Sequence, residues 1–188
     1  MKELGSIPAI CPMPVLMVAA YDENGKPNVM NAAWGTITQM DKVLLCIDED
    51  HKTTQNILKT KAFTVGLADT KHMEVADFFG IVSGNKMPDK FERSGCHSVK
   101  SAAVDAPVIT EFPVTMECEL QEIVKTENLY AVIGKIVNVL ADERILLEDG
   151  KIDAAKLDPL IFDQFRWNYF SIGEKVGKAC HEGKRLMG

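Results

Sequence analysis

The period of the apolar positions changes along the chain and divides it into segments. Pro14 to Asp22 is an apolar run ending at Glu23-Asn24-Gly25-Lys26-Pro27. Asn-Gly readily supplies the positive φ angles of a tight turn, so this predicts a strand and a hairpin, with the partner strand running from Asn28 to about Thr38. Val43 to Asp48, rich in branched aliphatics, reads as a third strand. From Lys52 the period lengthens. Thr54 to Thr60 carries helix formers with Thr53 as its N-cap. Phe63 to Ala68 returns to a strand, and Met73 to Val82 sets Val75, Ala76, Phe79 and Val82 on one helical face. Ser83 to Gly95 is a polar loop with a short helical turn near Asp89 to Arg93.

The second half is β again. Val114 to Lys125 and Tyr130 to Ala141 form a long antiparallel pair joined at Thr126-Glu127-Asn128. In the first of them Met116, Cys118 and Leu120 alternate with Glu117, Glu119 and Gln121, which predicts that the glutamates face water. Asp142 to Leu157 is a loop-rich connection with a turn at Asp149-Gly150, and Leu160 to Phe162 and Trp167 to Ile172 are short closing strands. Residues 1–188 therefore read as one mainly-β domain with two or three helices outside it. Many short antiparallel strands favour a barrel.

Composition narrows the function. Hydrophobic residues at 46% and charged residues at 26% suit a water-soluble globular chain. A net charge of -6 with no long basic run argues against nucleic acid and anionic membrane as partners. The start, Met1-Lys2-Glu3-Leu4-Gly5-Ser6, resembles no export or organelle leader, and no apolar run is long enough to cross a bilayer. Five cysteines (Cys11, Cys46, Cys96, Cys118 and Cys180) are widely spaced without a C-x-x-C, which predicts reduced thiols and a cytoplasmic setting. The four histidines lie far apart with no carboxylate pair nearby, so no metal site is expected.

Three segments offer chemistry. In Asn31-Ala32-Ala33-Trp34-Gly35-Thr36 the small residues would let a flat ring approach the backbone, Asn31 and Thr36 add hydrogen bonds, and Trp34 offers a packing face; core packing is the plainer explanation of the same residues. Asp50-His51-Lys52-Thr53-Thr54 precedes a helix, where free amides and the positive end of the dipole seat a phosphate; an ordinary cap is the plainer explanation. Within Ser83 to Phe91, Ser83 and Lys90 are in reach of a phosphate or of the mouth of a pocket, or else belong to a solvated loop. Trp167 and Tyr169 are core or wall a ligand pocket. There is no G-x-G-x-x-G after a strand and no P-loop, so neither a Rossmann site nor a P-loop is indicated, and the missing G-x-S-x-G weakens a serine hydrolase reading.

In this order the segments resemble the flavin reductase-like, FMN-binding split-barrel family, and most closely its flavoredoxin-like branch. The resemblance runs from Pro12 to about Lys178. It is carried by Asn31 to Thr36 (N-x-x-A/S-W/F-x-T/S in the family), by His51-Lys52-Thr53-Thr54-Gln55-Asn56-Ile57 (basic-x-Thr-x-x-x-Ile), and by Ser83-Gly84 with Asp89-Lys90-Phe91. Two details depart from the family: Asp41-Lys42-Val43 stands where members often have Asp-Pro-Pro, and His51 where some have arginine. What the resemblance implies is a six-stranded antiparallel Greek-key barrel, non-covalent FMN and a homodimer with the flavin near the interface. Lys52, Thr53 and Thr54 would take the phosphate, Asn31 to Thr36 the ring and ribityl chain, and Trp167 or Tyr169 the substrate side. The activity implied is an NAD(P)H-dependent flavin reductase or flavoredoxin-like electron transfer, with no side-chain acid or base required. A non-enzymatic FMN carrier serving redox protein partners stays open, and an oxidase of a pyridoxine-like phosphate is a third, weaker option.

Overall fold

The computed structural model describes residues 1–187, so residue 188 of the expected domain lies outside the described residues. In chain order the elements are β1 (Met13–Pro14), β2 (Leu16–Tyr21), β3 (Pro27–Ala32), β4 (Gly35–Gln39), β5 (Lys42–Leu45), α1 (Lys52–Thr60), β6 (Ala62–Leu67), α2 (Met73–Ile81) and α3 (Lys90–Ser94). They continue with β7 (Ser98–Lys100), β8 (Pro107–Ile109), β9 (Val114–Lys125), β10 (Tyr130–Ala141), α4 (Ala154–Leu157), β11 (Ile161–Asp163) and β12 (Asn168–Phe170).

One antiparallel sheet of seven strands dominates, in the order β3-β2-β6-β9-β10-β5-β4. The expected strand from Asn28 to Thr38 is two strands, and they lie at opposite edges of this sheet. The chain bends at Ala33-Trp34, so the two ends of the sheet are tied covalently while no ladder joins β3 to β4. That is a barrel closed by its own chain and split in its hydrogen bonding. The bend also explains the seventh strand where six were expected.

The apolar run of β2 is continuous because both of its faces are buried. Leu16, Val18 and Ala20 point into the barrel with Val43, Leu45, Phe63, Val65 and Val132. Val15, Met17 and Ala19 point outward against Ala76, Phe79, Phe91 and Phe112. Helix α2 is therefore glued to the outside of β2 and β3, and its end and the loop after it lie over β3. The long pair β9–β10 bends at two irregularities in register, near Gly134 and between Ile136 and Asn138, which is how such strands curl around a core. Gly134 is needed at the first, because a Cβ there would sit 2.3 Å from Cζ of the buried Phe63.

Two local expectations fail. Helix α1 starts at Lys52, with His51 at its N-cap, so Thr53 lies inside the first turn instead of capping it. Glu117 does not face water. It is only 1% exposed and accepts hydrogen bonds from Ser101 Oγ at 2.5 Å and Asn138 Nδ2 at 2.6 Å. The connection between β7 and β8 brings Ser101 onto this part of β9, and those two strands are too short to leave a periodic signal. Glu119 is exposed as expected.

The five cysteines are free, and burial pushes the Cys118 thiol up to about 12. Among the described residues no helix is long and apolar enough to cross a membrane.

Candidate functional site

The loop that leads into α1, the end of α2 and the loop after it meet over β3. His51 occupies the N-cap position but its side chain makes no capping bond, so the amides of the first turn of α1 stay available. Lys52, Thr53, Ser83, Gly84 and Lys90 line the cleft in front of them, about 240 Å³ in volume, together with Asn31 and His51. Gly84 lets the walls close this tightly: a Cβ there would fall 2.3 Å from Asn28 Oδ1 and 3.2 Å from Lys52 Cβ. Asn28 Nδ2 donates to Thr53 Oγ1 at 2.6 Å, which leaves the threonine's own proton free to donate.

The two lysines differ. Lys52 Nζ is 2.9 Å from Glu23, which holds that carboxyl down to about 2 through the hydrogen bond and the charge. Lys90 is 2% exposed, and its Nζ donates to the carbonyl of Val82 at 2.9 Å and sits 5.8 Å from the centre of the Phe79 ring. No carboxylate among the described residues pairs with it. Burial pushes its ammonium down to about 8. A buried cation without a counter-charge, in the same cleft as uncapped helix amides, suits an anion.

Beyond Asn31, Gly80 and Ile81 the cleft continues into a second one of about 230 Å³, because these three residues line both. Here Ala33 on the β3 side faces Phe162, Trp167 and Tyr169 of the C-terminal hairpin, with Asp77 of α2 between. Trp167 is 82% exposed, has φ of 60°, and stands edge-on to Phe162 at 6.0 Å. Tyr169 donates from its hydroxyl to Asp77 at 2.9 Å.

The sequence candidates thus divide. Asn31, His51, Lys52, Thr53, Ser83 and Lys90 come together in the first cleft, and Ala33, Trp167 and Tyr169 join Asn31 in the second. Ala32 and Gly35 do not offer a ring seat: Ala32 is buried inside the barrel, and the missing side chain of Gly35 makes room for Leu16 and Leu45. Thr54 is fully buried, with its hydroxyl unpartnered, and lines neither cleft. Trp34, Gly35 and Thr36 line a separate apolar cleft with the N-terminal arm, because the bend at Ala33 carries them to the other edge of the sheet. Four residues that line these clefts escaped the sequence reading: Asp77, Gly80, Ile81 and Phe162. A carboxylate and a glycine inside the apolar run of α2 were the only signal for the first three, and Phe162 read as an ordinary strand residue. Asp48 and Asp50 also approach His51, with ligand atoms within 4.8 Å of one another, so the expected lack of a carboxylate pair near a histidine is incorrect; both aspartates are exposed.

The model of the flavin reductase like domain matches residues 9–167. The chain belongs to the flavin reductase like domain family. Among solved structures of this kind, flavoredoxin of Desulfovibrio vulgaris (Miyazaki F) is 33% identical, with a TM-score of 0.92 over 97% of this chain and 99% of that one. Flavoredoxin from Methanosarcina acetivorans is 26% identical, with a TM-score of 0.89 over 100% and 98%. A putative flavin reductase with a split barrel domain from Shewanella frigidimarina shares the fold at 20% identity, with a TM-score of 0.78 over 89% and 85%. The fold of this family member is the split barrel expected from its sequence.

Proposed function

We propose that the chain binds FMN and works as an NAD(P)H-dependent flavin reductase or flavoredoxin-like electron-transfer protein. The observation that carries this reading is the buried, unpaired Lys90 opening into the same cleft as the uncapped start of α1. That donor set fits a phosphate monoester, and the adjoining aromatic cleft fits a flat ring at the far end of the same molecule. Family membership supports a flavin as that molecule. Thr53 and Lys52 would donate to the phosphate beside Lys90, and Asn31 would lie along the chain between phosphate and ring. Bound FMN supplies the hydride- and electron-accepting chemistry. The protein's own residues bind and orient, and Trp167 and Phe162 shield one side of the ring seat from water. The chain would then form one functional domain, as its sequence leads one to expect. Pairing with a second copy would cover the exposed Trp34, Ile37 and Met40 along the β4 edge.

A calorimetric FMN titration tests the assignment. Lys52→Ala should weaken binding by about 1.5–3 kcal/mol, the worth of a charge-assisted hydrogen bond. Its ion pair with Glu23 makes the lower end the expected value. Unchanged affinity removes Lys52 from the site.

A further inference from the structure

We infer that Asp77, held by Tyr169 in the aromatic cleft, is a positioning residue for the redox balance of the bound flavin, lowering its reduction potential with a fixed negative charge. This rests on the reading of the paired clefts as an FMN site. The two clefts share Asn31, Gly80 and Ile81, so a phosphate held at Lys52 and Lys90 leaves the second cleft for the ring. Ala33 and the aromatic pair Phe162 and Trp167 give that cleft flat apolar walls. The left-handed backbone at Trp167, φ 60°, is costly for a bulky side chain, and such strain collects where a side chain must be held in one place.

Asp77 is the one charged residue lining this cleft, which includes no lysine, arginine or histidine. Among the described residues it has no ion-pair partner, and Tyr169 is the one side chain that donates to it. That donor is permanent, because burial first, and then the hydrogen bond to Asp77, push the Tyr169 hydroxyl up to about 12. One carboxylate oxygen accepts from Tyr169, and the carboxylate belongs to the lining of the cleft. Asn31, from the opposite wall, donates to the carbonyl of Ala76, the residue before Asp77, and so ties β3 to this turn of α2.

Two-electron reduction of the flavin, with uptake of one proton, leaves the ring system one unit more negative than when oxidised. The two electrons come from the nicotinamide or protein donor and the proton accompanies them, as hydride or from solvent. A fixed carboxylate nearby acts little on the neutral oxidised ring and opposes the added charge. It therefore weakens binding of reduced FMN relative to oxidised FMN, which is what a low potential means.

The test is the midpoint potential of FMN-loaded protein by anaerobic spectroelectrochemistry, alongside calorimetric titration with oxidised FMN. Asp77→Asn should raise the potential, with the titration showing that oxidised FMN is still taken up. The expected size is about a tenfold gain in relative affinity for the reduced form, roughly 30 mV for a two-electron couple. Tyr169→Phe removes the donor and keeps the charge, so it should move the potential the other way. Opposite signs separate a charge effect from general loosening of the cleft, which would shift both variants alike. An unchanged potential in Asp77→Asn with FMN still bound overturns the inference and spares the FMN reading; a wild-type protein that takes up no FMN overturns both.

Discussion

Lys90 shows how a single side chain can trade stability for function. Its ammonium is buried beside Phe79 and the Val82 carbonyl with no counter-charge, and it titrates near 8. The folded state thus binds this proton less tightly than the unfolded chain, whose lysine titrates near about 10.4. The sign follows: stability rises with pH between about 8 and 10.4, and the protonated form costs the fold about 2–3 kcal/mol at neutral pH. Lys90→Met should therefore raise the melting temperature at pH 7, with a gain that shrinks in a series of melts from pH 8 upward. The same variant should bind FMN more weakly, and wild-type affinity should decline as pH climbs past about 8. A variant that melts lower and binds equally well would mean that Lys90 is a structural prop. The sequence revealed Lys90 as a candidate but not its burial, because a lysine in a polar loop gives no sign that Phe79 packs under its ammonium.

At the scale of elements, periodicity was legible wherever an element meets one layer on each face. The pairing of Val114–Lys125 with Tyr130–Ala141, the strand after α1 and helix α2 all stand where the pattern puts them. It failed where tertiary structure overrides local signal. Asn28 to Thr38 reads as one strand because nothing in Ala-Ala-Trp-Gly marks a corner, yet the bend there closes the barrel and separates Trp34 and Thr36 from Asn31. Glu117 keeps the alternation of β9 but meets Asn138, opposite it on β10, and Ser101, supplied from the segment between β7 and β8. Gly134 gives the sharpest test of this architecture. Its Cβ position lies 2.3 Å from Phe63 Cζ and 3.3 Å from Cys118 Cβ, and both neighbours are fully buried. Gly134→Ala should destabilise the protein by about 1–3 kcal/mol in a urea titration, the cost of overpacking a filled core. A variant as stable as wild type would mean that the strand can shift at its bulge without penalty.

The whole molecule joins a split barrel, an anion seat at the start of α1 and an aromatic cleft contiguous with it. The anion seat and the aromatic cleft each had a plainer explanation in the sequence. Their meeting over β3 is a property of the fold, since α2 must pack outside β2 and β3 before Gly80 and Ile81 can link the two clefts. The most direct test of the central claim is an absorbance scan of the purified protein with added FMN, followed by anaerobic NADH and then NADPH. The account predicts flavin bands that stay with the protein through gel filtration and bleach with at least one of the two donors. Bands that bleach only with dithionite would contradict the reductase reading in favour of a carrier, and a protein that retains no FMN would contradict the site itself.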